Sequence, residues 1–428
     1  SSFAFLLSPE NGRDADSPPV HDIPSALVGG SYLFIFIVQL LAIYWTQSRG
    51  PWLGLAAGLY VFVLLLITGL RPRGYRAWTA GWVGLGVAGA AFLLLINTTN
   101  LFPGLASVPN LGRLTTLLAM EGSTNEVRLL IWGGVSEMIT PHDPLVFPDG
   151  EEDRVNLIRP LVGYGPEAMW VAFNNFYPPR LAQVEARNAS PDRSHNETWD
   201  SLAITGGFGF LAYVAVFVSL FYWALRWLGL ITSRRDLYLF LGFWLGGGIL
   251  LSAIFIISDG SWRFFGVALP TGFIIGLIFY VTLAVFLHPE AKIEGANRRR
   301  QLLIVAILAA IVAHYVEIHF GIAIAATRTY FWILSAVLLV LGMGWVVPEA
   351  FAETPQPVTA EKSGRTLRRS RTRTAPAQKR EEGFFSALPA TVMPDLLVML
   401  TLVYLYTTNF QGSSSPFEIL TRSLATRM

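Results

Sequence analysis

Residues 202–230 read LAITGGFGFLAYVAVFVSLFYWALRWLGL and carry a single charge, Arg226, close to their end. About 20 mostly apolar residues in a helix cross the roughly 30 Å of hydrocarbon in a bilayer, with every backbone polar group paired inside the segment. The stretch therefore reads as a membrane span. Similar runs fall upstream at 24–46, 51–70 and 77–97, and downstream at 237–257, 264–287, 302–320, 329–347 and 391–408. The nine runs predict an all-α polytopic transmembrane bundle. Composition agrees, since 14% of residues are charged against about a quarter in an ordinary soluble domain.

The organisation follows from the spacing of these runs. Residues 1–97 hold the first three spans, and 98–201 form a long polar segment. Five spans occupy 202–347, a basic linker 348–390, and the last span and a tail 391–428. Gly-rich runs within the spans, AGWVGLGVAGAA at 80–91 and FLGFWLGGGILL at 240–251, are suited to close helix packing. The chain begins at Ser1 without a cleavable leader pattern, and a further amino-terminal portion is expected to precede it.

Orientation comes from the short loops, because Lys and Arg collect on the cytoplasmic side. Arg71, Arg73 and Arg76, then Arg226, Arg234 and Arg235, then Lys292, Arg298, Arg299 and Arg300 all fall on one side, as does the 348–390 linker. That side is inside, and 98–201 lies outside as an extracytoplasmic segment. The net charge of +2 gives no reason to expect a nucleic-acid partner. With no cysteine there is no disulfide, thiolate metal site or Cys nucleophile.

A few ionisable residues collect at the outer helix ends. Arg49, in TQSRGPWLGL at 46–55, is either an Arg snorkelling to headgroups or a clamp whose planar guanidinium binds two phosphate oxygens. Arg128 opens RLLIWGGVSEMI at 128–139, where Leu129, Trp132, Val135 and Ile139 recur at helical spacing over too short a length to span. This reads as a short interfacial helix, on which an Arg serves headgroups or a ligand. His195 lies in SHNETWDSLAITGGFG at 194–209. Ser194 followed by Glu197 matches a capping box, which places His195 in the first helical turn, with Trp199, Leu202 and Gly206 on its face. The dipole there favours a neutral imidazole, as a general base requires. A loop histidine with no role is the alternative. In AHYVEIHF at 313–320, His314 and Glu317 either pair with each other or join His319 in a functional cluster. No His or acidic spacing resembles a zinc site, so no metal or other cofactor is expected.

Three ordered stretches carry a resemblance. SRGPWLGL at 48–55, RLLIWGGVSEMI with LVGYGPEAMW at 161–170, and SHNETWDSLAITGGFGFLAY at 194–213 resemble the O-antigen ligase and O-antigen polymerase superfamily in kind and order. The resemblance covers roughly 24–230. It implies a metal-independent, inverting glycosyltransferase that moves a glycan from an undecaprenyl diphosphate carrier to an acceptor hydroxyl on a glycan, lipid or protein. The implied location is the outer face of the bacterial cytoplasmic membrane, in cell-envelope polysaccharide synthesis. By the same resemblance, Arg49 and Arg128 hold the diphosphate and His195 is the base. Asn196, Trp199, Glu317, His319 and Arg328 are further candidates to line the site. The competing expectation is a non-catalytic membrane subunit, or a lipid or glycan transporter, whose arginines bind headgroups.

Overall fold

The computed structural model describes residues 23–46, 48–99, 102, 104, 112, 115, 124–146, 149–186 and 189–345. The expected ninth span at 391–408 and the linker at 348–390 lie outside these residues. Residues 29–345 belong to one compact unit. A second unit takes in 17–28 and 357–428, of which 23–28, the first turns of the opening helix, are described.

The long helices are α1 (Ile23–Thr46), α2 (Arg49–Leu70), α3 (Tyr75–Thr98), α4 (Thr124–Ile139), α5 (Glu197–Trp227), α6 (Arg234–Asp259), α7 (Phe265–Leu287), α8 (Arg298–Ile318) and α9 (Ala325–Met343). Among the described residues, eight of these are long and apolar enough to cross a membrane, α4 being the exception. The protein is an all-α, multi-pass membrane protein. In the described residues, extended pairing is limited to a bridge between Val146 and Glu152.

The core lies between α2 and α5–α9, around Leu64, Phe217, Phe221, Trp244, Tyr280, Leu308 and Tyr315. α7 is apolar on all sides and is the most deeply buried span. α2 meets α8 through Gly50, Gly54 and Gly58; a Cβ on Gly54 would lie 2.6 Å from the carbonyl oxygen of Ala313. α6 meets α7 as closely at Gly247 and Gly272. An open apolar groove of about 470 Å³ runs between these two helices, lined by residues such as Gly246, Leu250 and Ile275.

The basic loops close one end of the bundle. Arg71, in left-handed backbone at the end of α2, donates to the carbonyls of Thr68, His288, Pro289 and Ala291. Arg300 donates to those of Leu341 and Gly342, each at 2.6 Å. Two residues of the inside-positive pattern thus also tie helix ends together.

At the opposite end, the described residues of 124–196 form a small packed layer. The reading of α4 as an interfacial helix needs correction on one point. Its apolar face, Ile131, Trp132, Val135 and Met138, is covered by Met169, Phe173, Leu181, Trp199 and Ala203. The expected stripe was too narrow. Leu129 and Ile139 flank the buried face, and protein rather than lipid takes up its apolar area.

α5 is helical at both ends but not at Gly206, whose φ of 64° and ψ of −167° break the ladder. The carbonyls of Ala203 and Ile204 accept instead from the backbone N–H groups of Tyr164 and Gly165, at 2.8 and 2.9 Å. Only a glycine fits, since a Cβ there would lie 2.3 Å from the carbonyl carbon of Leu161. The outer segment is thereby stitched into the first long helix that follows it.

Candidate functional site

Arg49 is the first residue of α2, and the next residue fixes where that end sits. A Cβ on Gly50 would lie 3.3 Å from the carbonyl oxygens of both Glu317 and Phe320, so the start of α2 rests on the end of α8. From there Arg49 donates to Asn125 Oδ1 at 2.8 Å, in the first turn of α4. Arg128, one turn further along α4, donates to the Phe320 carbonyl at 3.0 Å. The two arginines therefore meet the same corner of the bundle. Burial first, and then the charge of Arg49, weakens the hold of Arg128 on its proton. A pair of guanidinium groups within electrostatic reach of one another is an arrangement that an anion stabilises.

His195 reaches this corner from α5, though not as the sequence predicts. The N-cap of α5 is Asn196, whose Oδ1 accepts from the Trp199 N–H at 3.1 Å. His195 precedes the cap in left-handed backbone, with φ of 58°. The capping box expected from Ser194 and Glu197 is thus corrected, and so is the placement of His195 in the first turn. The Ser194 N–H and hydroxyl instead both donate to Asp200 Oδ1 at 2.7 Å. Asn196 wins the cap because its amide also donates to the carbonyls of Gly266 and His319, each at 2.8 Å, anchoring the turn to α7 and α8.

The His195 ring is half-buried, and among the described residues it has no hydrogen-bond partner. Burial, followed by the charge of Arg128, lowers its pKa, while Asp200, Asp192 and Glu185 oppose the shift. The neutral form expected from the sequence is favoured, by burial and a neighbouring cation. Trp132 Nε1 donates to the Ser194 carbonyl at 2.8 Å, joining the helix of Arg128 to the residue before His195. Arg49 with Arg128, and Arg128 with His195, are thus linked at this end although far apart in sequence.

The further candidates divide. Asn196 is fully buried and works as the clamp just described. Trp199 is 1% exposed and packs on Phe265, so it supports the turn and does not line the site. His319 is also buried, its Nδ1 2.5 Å from the Tyr315 carbonyl and its Nε2 3.4 Å from the Tyr213 hydroxyl. It too is removed from the lining. His314 and Glu317 stand 3.9 Å apart, too far for a hydrogen bond. Glu317 stays part-exposed beside the start of α2. Arg328 donates from one terminal nitrogen to both oxygens of Glu197, at 2.8 and 3.0 Å.

Asn125 and the Phe320 carbonyl were missed by the sequence reading, and Glu197, expected in a capping box, pairs with Arg328 instead. Asn125 lies one turn before Arg128, a spacing that carried a signal; the carbonyl carried none. Among the described residues no set of three His, Asp or Glu side chains is grouped to hold a metal ion. The α6–α7 groove contains none of the three linked residues and is a separate feature.

No family model matches the chain, and neither a curated protein nor a solved structure does.

Proposed function

We propose that this protein is a membrane glycosyltransferase of the O-antigen ligase or polymerase type, working at the outer face of a bacterial cytoplasmic membrane. The observation that carries the reading is the meeting of Arg49, Arg128 and the unpartnered ring of His195 at one outer corner.

In this reading a polyprenyl diphosphate donor places its headgroup between the two guanidinium groups, which match phosphate oxygens in charge and shape. An acceptor hydroxyl attacks the anomeric carbon as the bond from that carbon to the diphosphate oxygen breaks, inverting the centre. His195 takes the hydroxyl proton, and the arginines stabilise the charge growing on the departing diphosphate. The lowered pKa of His195 suits it to the task by keeping a neutral ring near pH 7.

The test is glycan transfer by the purified protein in vesicles, from a polyprenyl diphosphate donor to an added acceptor. Transfer that disappears in His195→Ala, with donor still bound, supports the proposal. Donor binding without transfer under any acceptor would overturn it in favour of a non-catalytic subunit.

A further inference from the structure

Residues 153–165 are arranged inside out for a segment facing water. Two of their three charges turn inward, while Arg154, paired with Glu151 ahead of the apolar stretch, stays exposed. Arg159 donates to the two oxygens of Asp153 at 2.8 and 3.2 Å and to the Gly163 carbonyl at 3.2 Å, and its guanidinium stacks over Tyr164. The side chain of Asp153 is 3% exposed and that of Arg159 19%. Their apolar side chains turn outward instead. Leu157 is 91% exposed, and Ile158, Leu161 and Val162 are exposed beside it.

The location says what covers this surface. The backbone of 160–163 lies on Gly206 and Gly207 of α5, so closely that a Cβ on Gly206 would strike Leu161 and Val162. Beyond the kink, residues 207–227 rise about 30 Å at about 1.5 Å per residue, enough to cross the hydrocarbon by themselves. The kink and the segment on it therefore sit at the outer boundary of the bilayer. Phe208 and Leu211, in the first turns below it, are exposed apolar side chains of the span itself. The exposed apolar side chains of 157–162 are carried by backbone that lies at the top of the same span.

We infer that residues 157–162 are a lipid contact, an anchor inserted among the acyl chains just beneath the outer headgroups. The backbone meets the requirement of that depth, because Tyr164 and Gly165 pair with the carbonyls that the kink frees. The inward ion pair meets it as well, since a charge facing acyl chains is expensive. The inference is independent of the proposed catalysis.

Because the chain has no cysteine, one introduced residue carries one probe. Leu157→Cys and Leu161→Cys are each labelled with an environment-sensitive fluorophore, and the full chain is reconstituted in phosphatidylcholine and phosphatidylglycerol vesicles. Glu151→Cys, on the exposed side of the same loop, is the reference. Both Leu positions should show blue-shifted emission, about twofold quenching by a lipid bearing a nitroxide near its headgroup, and little quenching by aqueous iodide. Iodide quenching equal to that of the Glu151 probe would overturn the inference. So would a blue shift without nitroxide quenching, accompanied by cysteine cross-linking between two copies, which would mark a protein interface.

Discussion

The indole N–H of Trp132 and the carbonyl of Ser194 meet at 2.8 Å, and both groups are buried. Trp132 stands one turn beyond Arg128 on α4, and Ser194 immediately precedes His195. The contact ties the placement of a cation to that of the ring it acts on. Trp132→Phe keeps most of the packing and leaves the carbonyl unpaired, which costs about 1–3 kcal/mol. Glycan transfer is expected to fall roughly tenfold or more, as misplaced groups cost rate steeply. Thermal unfolding and transfer rate measured on the same preparation separate the two effects.

His195→Ala is expected to leave insertion and donor binding intact and to lower transfer by about 10² or more. In the unmodified protein, activity should rise with pH with its midpoint below about 6.5, the ordinary histidine value, because the folded pKa is lowered. Stability shares the sign. The unfolded chain binds the proton more readily, so stability falls as pH drops from about 6.5 towards the folded value. A pH profile of transfer, set beside unfolding curves, tests both.

Arg49→Lys keeps the charge and discards the planar fork, and the bond to Asn125 Oδ1 depends on the length and direction of that fork. Donor binding should weaken by about tenfold or more, as expected for losing one charge-assisted contact of roughly 1.5–3 kcal/mol. Pyrophosphate should raise the unfolding temperature of the unmodified protein by relieving the repulsion between Arg49 and Arg128, and raise it less in Arg49→Ala. An equal rise in both would argue against the clamp.

Asn196→Ala should be the costliest of these changes for the fold. It removes a cap of about 1 kcal/mol and strands the carbonyls of Gly266 and His319, at about 1–3 kcal/mol for each buried group left unpaired. Asn196→Asp restores the cap and not the donors, so it should recover only part of the loss. Thermal unfolding of the two variants decides.

Gly206→Ala forces a side chain into backbone that only glycine adopts readily, at about 1–3 kcal/mol before any collision is counted. The added carbon also meets Leu161 and Val162. Hydrogen exchange at Tyr164 and Gly165 should accelerate, because their acceptors on α5 move. Unchanged exchange would mean that the kink forms without the outer segment.

The eight spans among the described residues were legible because length and apolarity suffice to define them. Their ends were not. α5 begins at Glu197, earlier than its apolar run, since Glu197, Thr198 and Asp200 are buried by protein contacts that no window of hydropathy records. Before the helix, the sequence points to Ser194 as the cap, and Asn196 takes that place. The decision rested on carbonyls more than 60 residues away, so local pattern favoured the wrong one. Trp199 and His319 looked like site residues because aromatic and titratable groups near a helix end are ambiguous until their burial is known. Arg49, Arg128 and His195 were each legible as candidates. The resemblance implied that they share a site, but the contacts that bring them together were not legible, because they depend on where α4 meets the end of α8.

The glycine face of α2 has a mechanical consequence. Where Gly50, Gly54 and Gly58 lie against α8, main chain touches main chain, with no side chain between them to change rotamer. Such a joint cannot creep. It holds or it skips a whole turn, about 5.4 Å, so α2 and α8 act as a fixed wall behind Arg49 and Phe320. Movement at this corner is left to its other sides, the layer that carries Arg128 and the Glu197–Arg328 bridge between α5 and α9.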